Sequence, residues 1–531
     1  MKNITFFFVL IIFMGLLGNS LGEIKKKYDT SDSKGTNRKR KLQTNYIKVQ
    51  YKEVAQYPDG FYLELESRLD VLIEVSSTDS SSLYRSYVPF DITANDIMQI
   101  HFNSQAVTLQ EFFASYYDEN TKKITSIDFS HFDSSQVTNM QQLFSGCTKL
   151  ESINFSGIDT GNLLTVENMF YNCNQLKSVD LSSFNTAKLT TLKGLFNKCS
   201  LLESIDISNF DTTSVTDMSY MFYFCQQIKS ITISGPYFNN LILENMSFMF
   251  YGCENLESII FSNFVTSQVK DMSFMFYQCR KLQLITLSSF DTSKVEDMSY
   301  MFYGCSQLQS IILSNFNTAF VKNMDYMFYE CSKLQSITLS NFDTTKVENM
   351  KYMFYGCSML ISIDLSNFNT PLLQECDNMF YGCNQLQSII LSNFNTSNVE
   401  NMNNMFYGCN QLQSITLSGF DTSKIINMNN MFYQCSSLQS IDLSNFNTPL
   451  LQQCNSMFYG CSQLQSIILS NFKSSKITSM NNMFEGCINL KFLDISSCDS
   501  DMTSSISSMF NDVTSLEYIN IYNTILSSNL L

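Results

Sequence analysis

Cysteine is the residue type here with both the number and the regularity to suggest chemistry. Fourteen cysteines fall at 147, 173, 199, 225, 253, 279, 305, 331, 357, 383, 409, 435, 461 and 487, each step being 26 residues except the 28 between 225 and 253. Such thiols could pair as disulfides in a secreted chain, hold zinc, or act as nucleophiles. The spacing argues against all three. Side chains that recur at one structural position point in parallel and not toward each other, which disulfide geometry does not accept. Cys376 and Cys383, like Cys454 and Cys461, are seven residues apart, roughly 10 Å along a helix axis and too far to bridge. No C-x-x-C pair is present for zinc. Free core thiols are expected, with Cys498, which stands where the frame usually has Phe, as the exception.

The other reactive types are as unpromising. The histidines are His101 and His131, and no Ser, Cys or Asp accompanies them in a recognisable catalytic motif. No glycine-rich phosphate loop appears. The chain is expected to be no enzyme and to carry no cofactor and no metal. Its formal charge is −15, and residues 1–40 hold eight Lys or Arg against three Asp or Glu, which leaves the remaining chain at −20. A body so acidic excludes nucleic acid as the expected partner.

What the cysteines mark is a repeat. "LQSITLSNFDTTKVENMKYMFYGCSM", residues 334–359, shows one unit, and its recurrent apolar letters fall at positions 1, 4, 6, 9, 14, 17, 20, 21 and 24. Ile337 and Leu339, at positions 4 and 6, alternate with polar neighbours as in a half-buried strand. Val347, Met350, Met353, Phe354 and Cys357 follow at spacings of three and four, which predicts a short helix. Asp343, Thr344 and Thr345 stand where they would cap it.

The fold class is therefore an α/β solenoid, leucine-rich-repeat-like, of about 15 units of 26 residues, each a short strand plus a short helix. One unit cannot stand alone, because nine buried side chains at roughly 1.5–3 kcal/mol each do not offset about 1–2 kcal/mol per residue of backbone entropy. Units start at Ile124 and every repeat after it to Leu490, with a partial unit at Leu516, so the solenoid spans 124–515 and the partial repeat 516–531. Cys376 and Cys454 replace Met at position 17 in the matching phrases "NFNTPLLQEC" and "NFNTPLLQQC", 78 residues apart, as a duplicated three-unit block would leave them. Two extra residues in "SGPYFNNLILENM" predict a bulged turn at Pro236.

Upstream, residues 1–22 have a basic start, an apolar run and small residues suited to cleavage, and are expected to be a signal peptide. Residues 23–41 make a basic, disordered leader. Residues 42–123 leave the frame and are expected to be an N-terminal capping domain, with "TLQEFFASYYDE" reading as a helix. This segment could instead hold the specific site. No integral membrane span is expected after signal removal, and no anchor is recognisable at the C-terminal end.

Written as L-x-S-I-x-L-S-x-F-x-T-S-x-V-x-x-M-x-x-M-F-x-x-C, the unit closely resembles the BspA-like leucine-rich-repeat surface proteins, including the repeat family of unknown function described from mycoplasmas. The match covers about residues 124–521. The resemblance implies a secreted or surface-displayed solenoid of bacteria and protists, often linked to adhesion or to binding host and matrix proteins. One departure is the aromatic row at Phe342 and its equivalents, where ordinary leucine-rich repeats carry an asparagine ladder.

What varies is the surface. Position 5 points outward from the strand and reads Asp180, Asp206, Thr232, Ile260, Thr286, Ile312, Thr338, Asp364, Ile390, Thr416, Asp442 and Ile468, continued at the ends by Asp128, Asn154 and Asp494. These residues are the candidate ligand-binding face, for an extracellular protein or glycoconjugate; the same composition also simply suits an exposed strand. Tyr300 and Tyr303, Tyr326 and Tyr329, and Tyr352 and Tyr355 pair on the other flank and could pack between units or form an aromatic strip. Asn154, Asn245 and Asn395 begin glycosylation sequons that matter in a eukaryotic secretory route. The expected function is adhesion or binding by a secreted or cell-surface protein; the alternative is a coat or matrix protein that associates with copies of itself.

Overall fold

The chain divides into two units, 1–43 and 44–531. The computed structural model describes residues 45–51, 55–57, 71–76, 81–85, 90–92, 97–102, 105–114, 121–235, 237–238, 240–469, 471–472, 476–495 and 508–520, all in the second unit. The expected signal peptide, the basic leader, Pro236 and Cys498 lie outside these residues.

Each 26-residue unit forms one turn of a β-solenoid. In most turns positions 3 to 5 make short parallel strands paired with the next turn in register, as in Ser362↔Ser388, Ile363↔Ile389 and Asp364↔Ile390, or Ser440↔Ser466 through Asp442↔Ile468. The same positions at 178–180, 204–206, 336–338 and 414–416 form no paired strand, so the ladder is a series of short sheets. Position 16 makes a second seam of single-residue parallel bridges, running from Thr108↔Asn139 through Asn349↔Glu375 and again from Asn401↔Asn427 to Gln453↔Ser479.

No α-helix occurs among the described residues; one short 3-10 segment, Thr121–Lys123, precedes the first full turn. The predicted helix is replaced by consecutive tight turns, and the unit at 282–307 shows why. The N–H groups of Met298, Tyr300, Phe302 and Gly304 donate to the carbonyls of Asn323, Asp325, Met327 and Tyr329 in the next turn, at 3.1, 2.9, 2.9 and 2.7 Å. The alternate N–H groups of Met301, Tyr303 and Cys305 donate three residues back, to Met298, Tyr300 and Phe302. An α-helix needs all of these donors for its own i−4 carbonyls, so half of them cannot also hold the neighbouring turn. Overlapping three-residue turns place side chains inward at the same spacing of three and four that an amphipathic helix would give. Tyr300 (φ 57°) and Gly304 (φ 69°) adopt the left-handed conformation that closes such turns.

The positions read as apolar form one core. Leu282, Ile285, Leu287, Phe290, Val295, Met298, Met301, Phe302 and Cys305 are all buried, and their equivalents form a single cluster from the first turn to the last. Within it Phe302 and its equivalents stack face to face at 5.4–5.9 Å in an unbroken row from Phe113 to Phe510.

Position 11 has a role that capping does not describe. Thr292 is buried; its hydroxyl donates to the Asn317 carbonyl at 2.9 Å and accepts from the Asn317 N–H at 2.8 Å. Thr160, Thr212, Thr266, Thr318, Thr344, Thr370, Thr396 and Thr422 repeat the bond to the next turn's carbonyl, and Thr186 accepts from the Asp211 N–H at 2.6 Å. Local capping is done by position 10: Asp343 accepts from the N–H and hydroxyl of Thr345 at 2.9 and 2.7 Å.

At the N-terminal side, β1 (Tyr46–Tyr51), β2 (Ala55–Tyr57), β3 (Val71–Ser76), β4 (Ser81–Arg85), β5 (Phe90–Ile92) and β6 (Ile97–Phe102) precede the repeats. The first full turn supplies β7 (Ile124–His131), the second β8 (Ser152–Asn154), and the sheet runs β4-β3-β6-β1-β7-β8. β1 lies antiparallel to β7, so the first parallel strand has no open edge on that side. The helix read in "TLQEFFASYYDE" is corrected as well. Leu109, Glu111 and Phe113 donate to Asn139, Gln141 and Leu143 at 2.8–2.9 Å, and Glu111 has a φ of 55°, so residues 107–114 are a partial turn lying one step ahead of Ile124. "TLQEFF" fills the places that "NMQQLF" fills one turn later, without the Cys that marks the repeat.

Replacing Thr292 with Val keeps shape but leaves the Asn317 amide and carbonyl without their buried partner, a cost of about 1–3 kcal/mol. Thr292→Val is therefore expected to lower the chemical-denaturation midpoint clearly more than Thr292→Ser; equal midpoints would mean that the hydroxyl is not holding the turns together.

Candidate functional site

The strand face carries the twelve candidate residues as one exposed band. Asp180, Asp206, Thr232, Ile260, Thr286, Ile312, Thr338, Asp364, Ile390, Thr416, Asp442 and Ile468 all point to solvent. Registers place Thr232 beside Ile260, Thr286 beside Ile312, Asp364 beside Ile390, and Asp442 beside Ile468. The isoleucines are open: Ile260 is 56% exposed and Ile390 49%. The aspartates also do local work, since Asp180, Asp206, Asp364 and Asp442 each accept from the N–H two residues on, at 2.9 Å. Those bonds with the following serine hold all four carboxyls below the usual carboxylate range. The face is thus a charged and apolar mosaic along the turns.

The opposite flank is aromatic. Position 19 stacks Tyr220, Phe248, Phe274, Tyr300, Tyr326 and Tyr352 at 4.4–4.6 Å. Position 22 stacks from Tyr223 to Tyr459 at 4.2–4.8 Å. The paired tyrosines therefore pack between turns. Position 19 is left-handed throughout, which costs a non-glycine residue roughly 1–2 kcal/mol; a stacked ring recovers about 0.5–1.5 kcal/mol. Past Tyr352 the row changes to Asn378, Asn404 and Asn430, residues better suited to that conformation, whose amides join at 3.0 and 3.1 Å.

A groove lies where the rings stop. Tyr326, Lys351, Tyr352, Gln374, Glu375, Asp377, Asn398, Glu400 and Asn401 line it. Lys351 Nζ meets Glu375 Oε2 at 2.7 Å, and Asp377 accepts from Asn378 at 2.7 Å. Beside it, burial and the neighbouring Asp297 charge push the Asp325 carboxyl up to about 6, against the pull of Lys351. Burial raises Asp377 too. Sequence reading missed this groove, because the sole signal is a switch from Tyr to Asn in one column of the repeat.

The sixteen described cysteines are buried in the core and form no disulfide with one another, and Cys357 Sγ donates to the Phe328 carbonyl of the preceding turn at 3.2 Å, a bond its equivalents repeat. Burial raises these thiols far from the reactive range, to about 12 at Cys305 and Cys435. Among the described residues no cluster could hold a metal ion. His101 and His131 flank the Tyr46 ring at 5.1 and 4.7 Å, and His131 Nδ1 lies 2.8 Å from Ser130 Oγ on an exposed strand end. No helix of the described residues is long and apolar enough to cross a membrane.

Parallel seams at two positions, a continuous core and the same phrase in every turn define the chain as a repeat β-solenoid. It belongs to the family described as "Mycoplasma protein of unknown function, DUF285", whose model matches residues 107–235, 236–312, 274–390, 374–470 and 439–527. The first match begins where the partial turn begins. No curated protein matches the chain.

Two outcomes follow. With Cys498 replaced by Ser, the sixteen buried thiols should resist a neutral-pH thiol reagent until denaturant is added; rapid labelling of that native protein would take the sulfurs out of the core. Because the folded Asp325 binds its proton more tightly than the unfolded chain does, its contribution to stability falls as pH rises from about 4 through 6. Asp325→Asn should thus raise the denaturation midpoint at pH 7 and do less at pH 4; an equal gain at both would show that ionisation is not the cause.

Proposed function

We propose that this protein is a secreted or cell-surface binding protein, an adhesin-like solenoid of the BspA-like leucine-rich-repeat kind, that engages an extracellular protein or glycoconjugate through its strand face. The observation that carries the reading is the position-5 band. Twelve side chains stand exposed in one row, eight of them on strands paired with a neighbouring turn, so little order is lost there when a broad partner docks. Isoleucines among aspartates and threonines give apolar contact ringed by polar groups, as in protein-contact surfaces. No chemistry is assigned to the protein, and no cofactor or nucleic acid.

The test is capture from a set of extracellular proteins by the intact chain, compared with the double reversal Asp364→Lys and Asp442→Lys. Loss of capture in the double variant is expected, and capture that survives it would move the site off this face. Sedimentation of the purified protein over a range of concentrations decides the alternative, since a coat or matrix protein would assemble with no partner added.

A further inference from the structure

The position-16 seam has a break. Its bridges run to Glu375 and resume at Asn401, and no bridge joins those two among the described residues. The break coincides with the end of the position-19 ring row at Tyr352 and with the substitution of Met by Cys376. A groove of about 620 Å³ opens there, within the range of small-ligand sites. A second hollow continues it along Glu348, Leu372, Gln374 and Asn398.

We propose that this groove binds a sugar residue, neutral or amino, through Tyr352, Lys351, Gln374, Glu375, Asp377 and Glu400. Tyr326 and the other interior rings of the row have neighbours stacked on both faces, whereas Tyr352, like Tyr220 beside Gly194 at the far end, has a ring on one side only; the Asn378 turn lies on its other side. An aromatic wall of this kind suits the apolar C–H face of a pyranose. Around it stand an ammonium, three carboxylates and the amides of Gln374, Asn398 and Asn401. Such a mixture of fixed donors and acceptors matches hydroxyls, each of which can do both. The Lys351 to Glu375 bond and the Asp377 to Asn378 bond already orient their groups before any ligand arrives. Three carboxylates against one lysine disfavour sialylated, sulfated or uronic-acid sugars and admit an amine. Metal is not the occupant the lining suits, since no cluster of three ligands exists among the described residues.

The site lies on the turn flank and does not depend on the strand face. The test is capture by the intact chain on an array of neutral, amino and acidic oligosaccharides, followed by calorimetric titration of the best-captured soluble oligosaccharide. Capture confined to neutral or amino sugars is expected. Tyr352→Asn should weaken it by about tenfold or more without lowering the denaturation midpoint, because Asn378, Asn404 and Asn430 hold the same backbone conformation. Asp377→Asn with Glu400→Gln should do likewise, and the strand-face double reversal should leave it unchanged. Capture of no sugar, capture of acidic sugars alone, or affinity indifferent to both groove variants would overturn the assignment.

Discussion

Everything in this solenoid depends on how backbone donors are divided between a turn and its neighbour. In each unit alternate N–H groups close local turns while the others reach the carbonyls of the next unit. Buried amides left without partners are costly, so a turn that has no successor at hand cannot satisfy half of its own loop. Cooperativity is therefore written into the backbone as well as the core. The threonine at position 11 extends the same rule to a side chain, and the thiol at position 24 reaches in the opposite direction, to the preceding turn. Side chains that could have served chemistry are used as clamps.

That division explains where sequence reasoning succeeded and where it did not. The inward positions were legible because burial needs only the recurrence of apolar letters, and Leu282 through Cys305 obey it one by one. The helix was misread because Met298, Met301, Phe302 and Cys305 face inward at spacings common to a helix and to stacked tight turns. The difference lies in backbone torsions at Tyr300 and Gly304. Gly304 hints at it, but Tyr is a poor signal for a left-handed residue. Thr292 reads as a cap until its partner in the next turn is known. The partial turn at 107–114 escaped because it lacks the cysteine on which the repeats align.

The strand face was legible as a row, since alternation sends position 5 outward whatever follows it. The groove was not, because it arises from a discontinuity between turns: a ring on one side, an amide on the other, and a missed bridge beneath. Here the regular strand face comes from what is copied, and this groove from a place where copying falters. The two candidate faces here divide along that line.

The two-residue enlargement of the unit at 228–255 shows how lightly length is controlled. The extra residues enter just before Phe238, which stays buried, while the bridges Asp217↔Asn245↔Asp271 continue on either side. Asn240 takes the place of the usual threonine and donates to the Val215 carbonyl at 2.6 Å. A gene that slips during replication and adds or drops whole modules would still encode a folding product, so the number of turns can be retuned between generations with no new interior to invent.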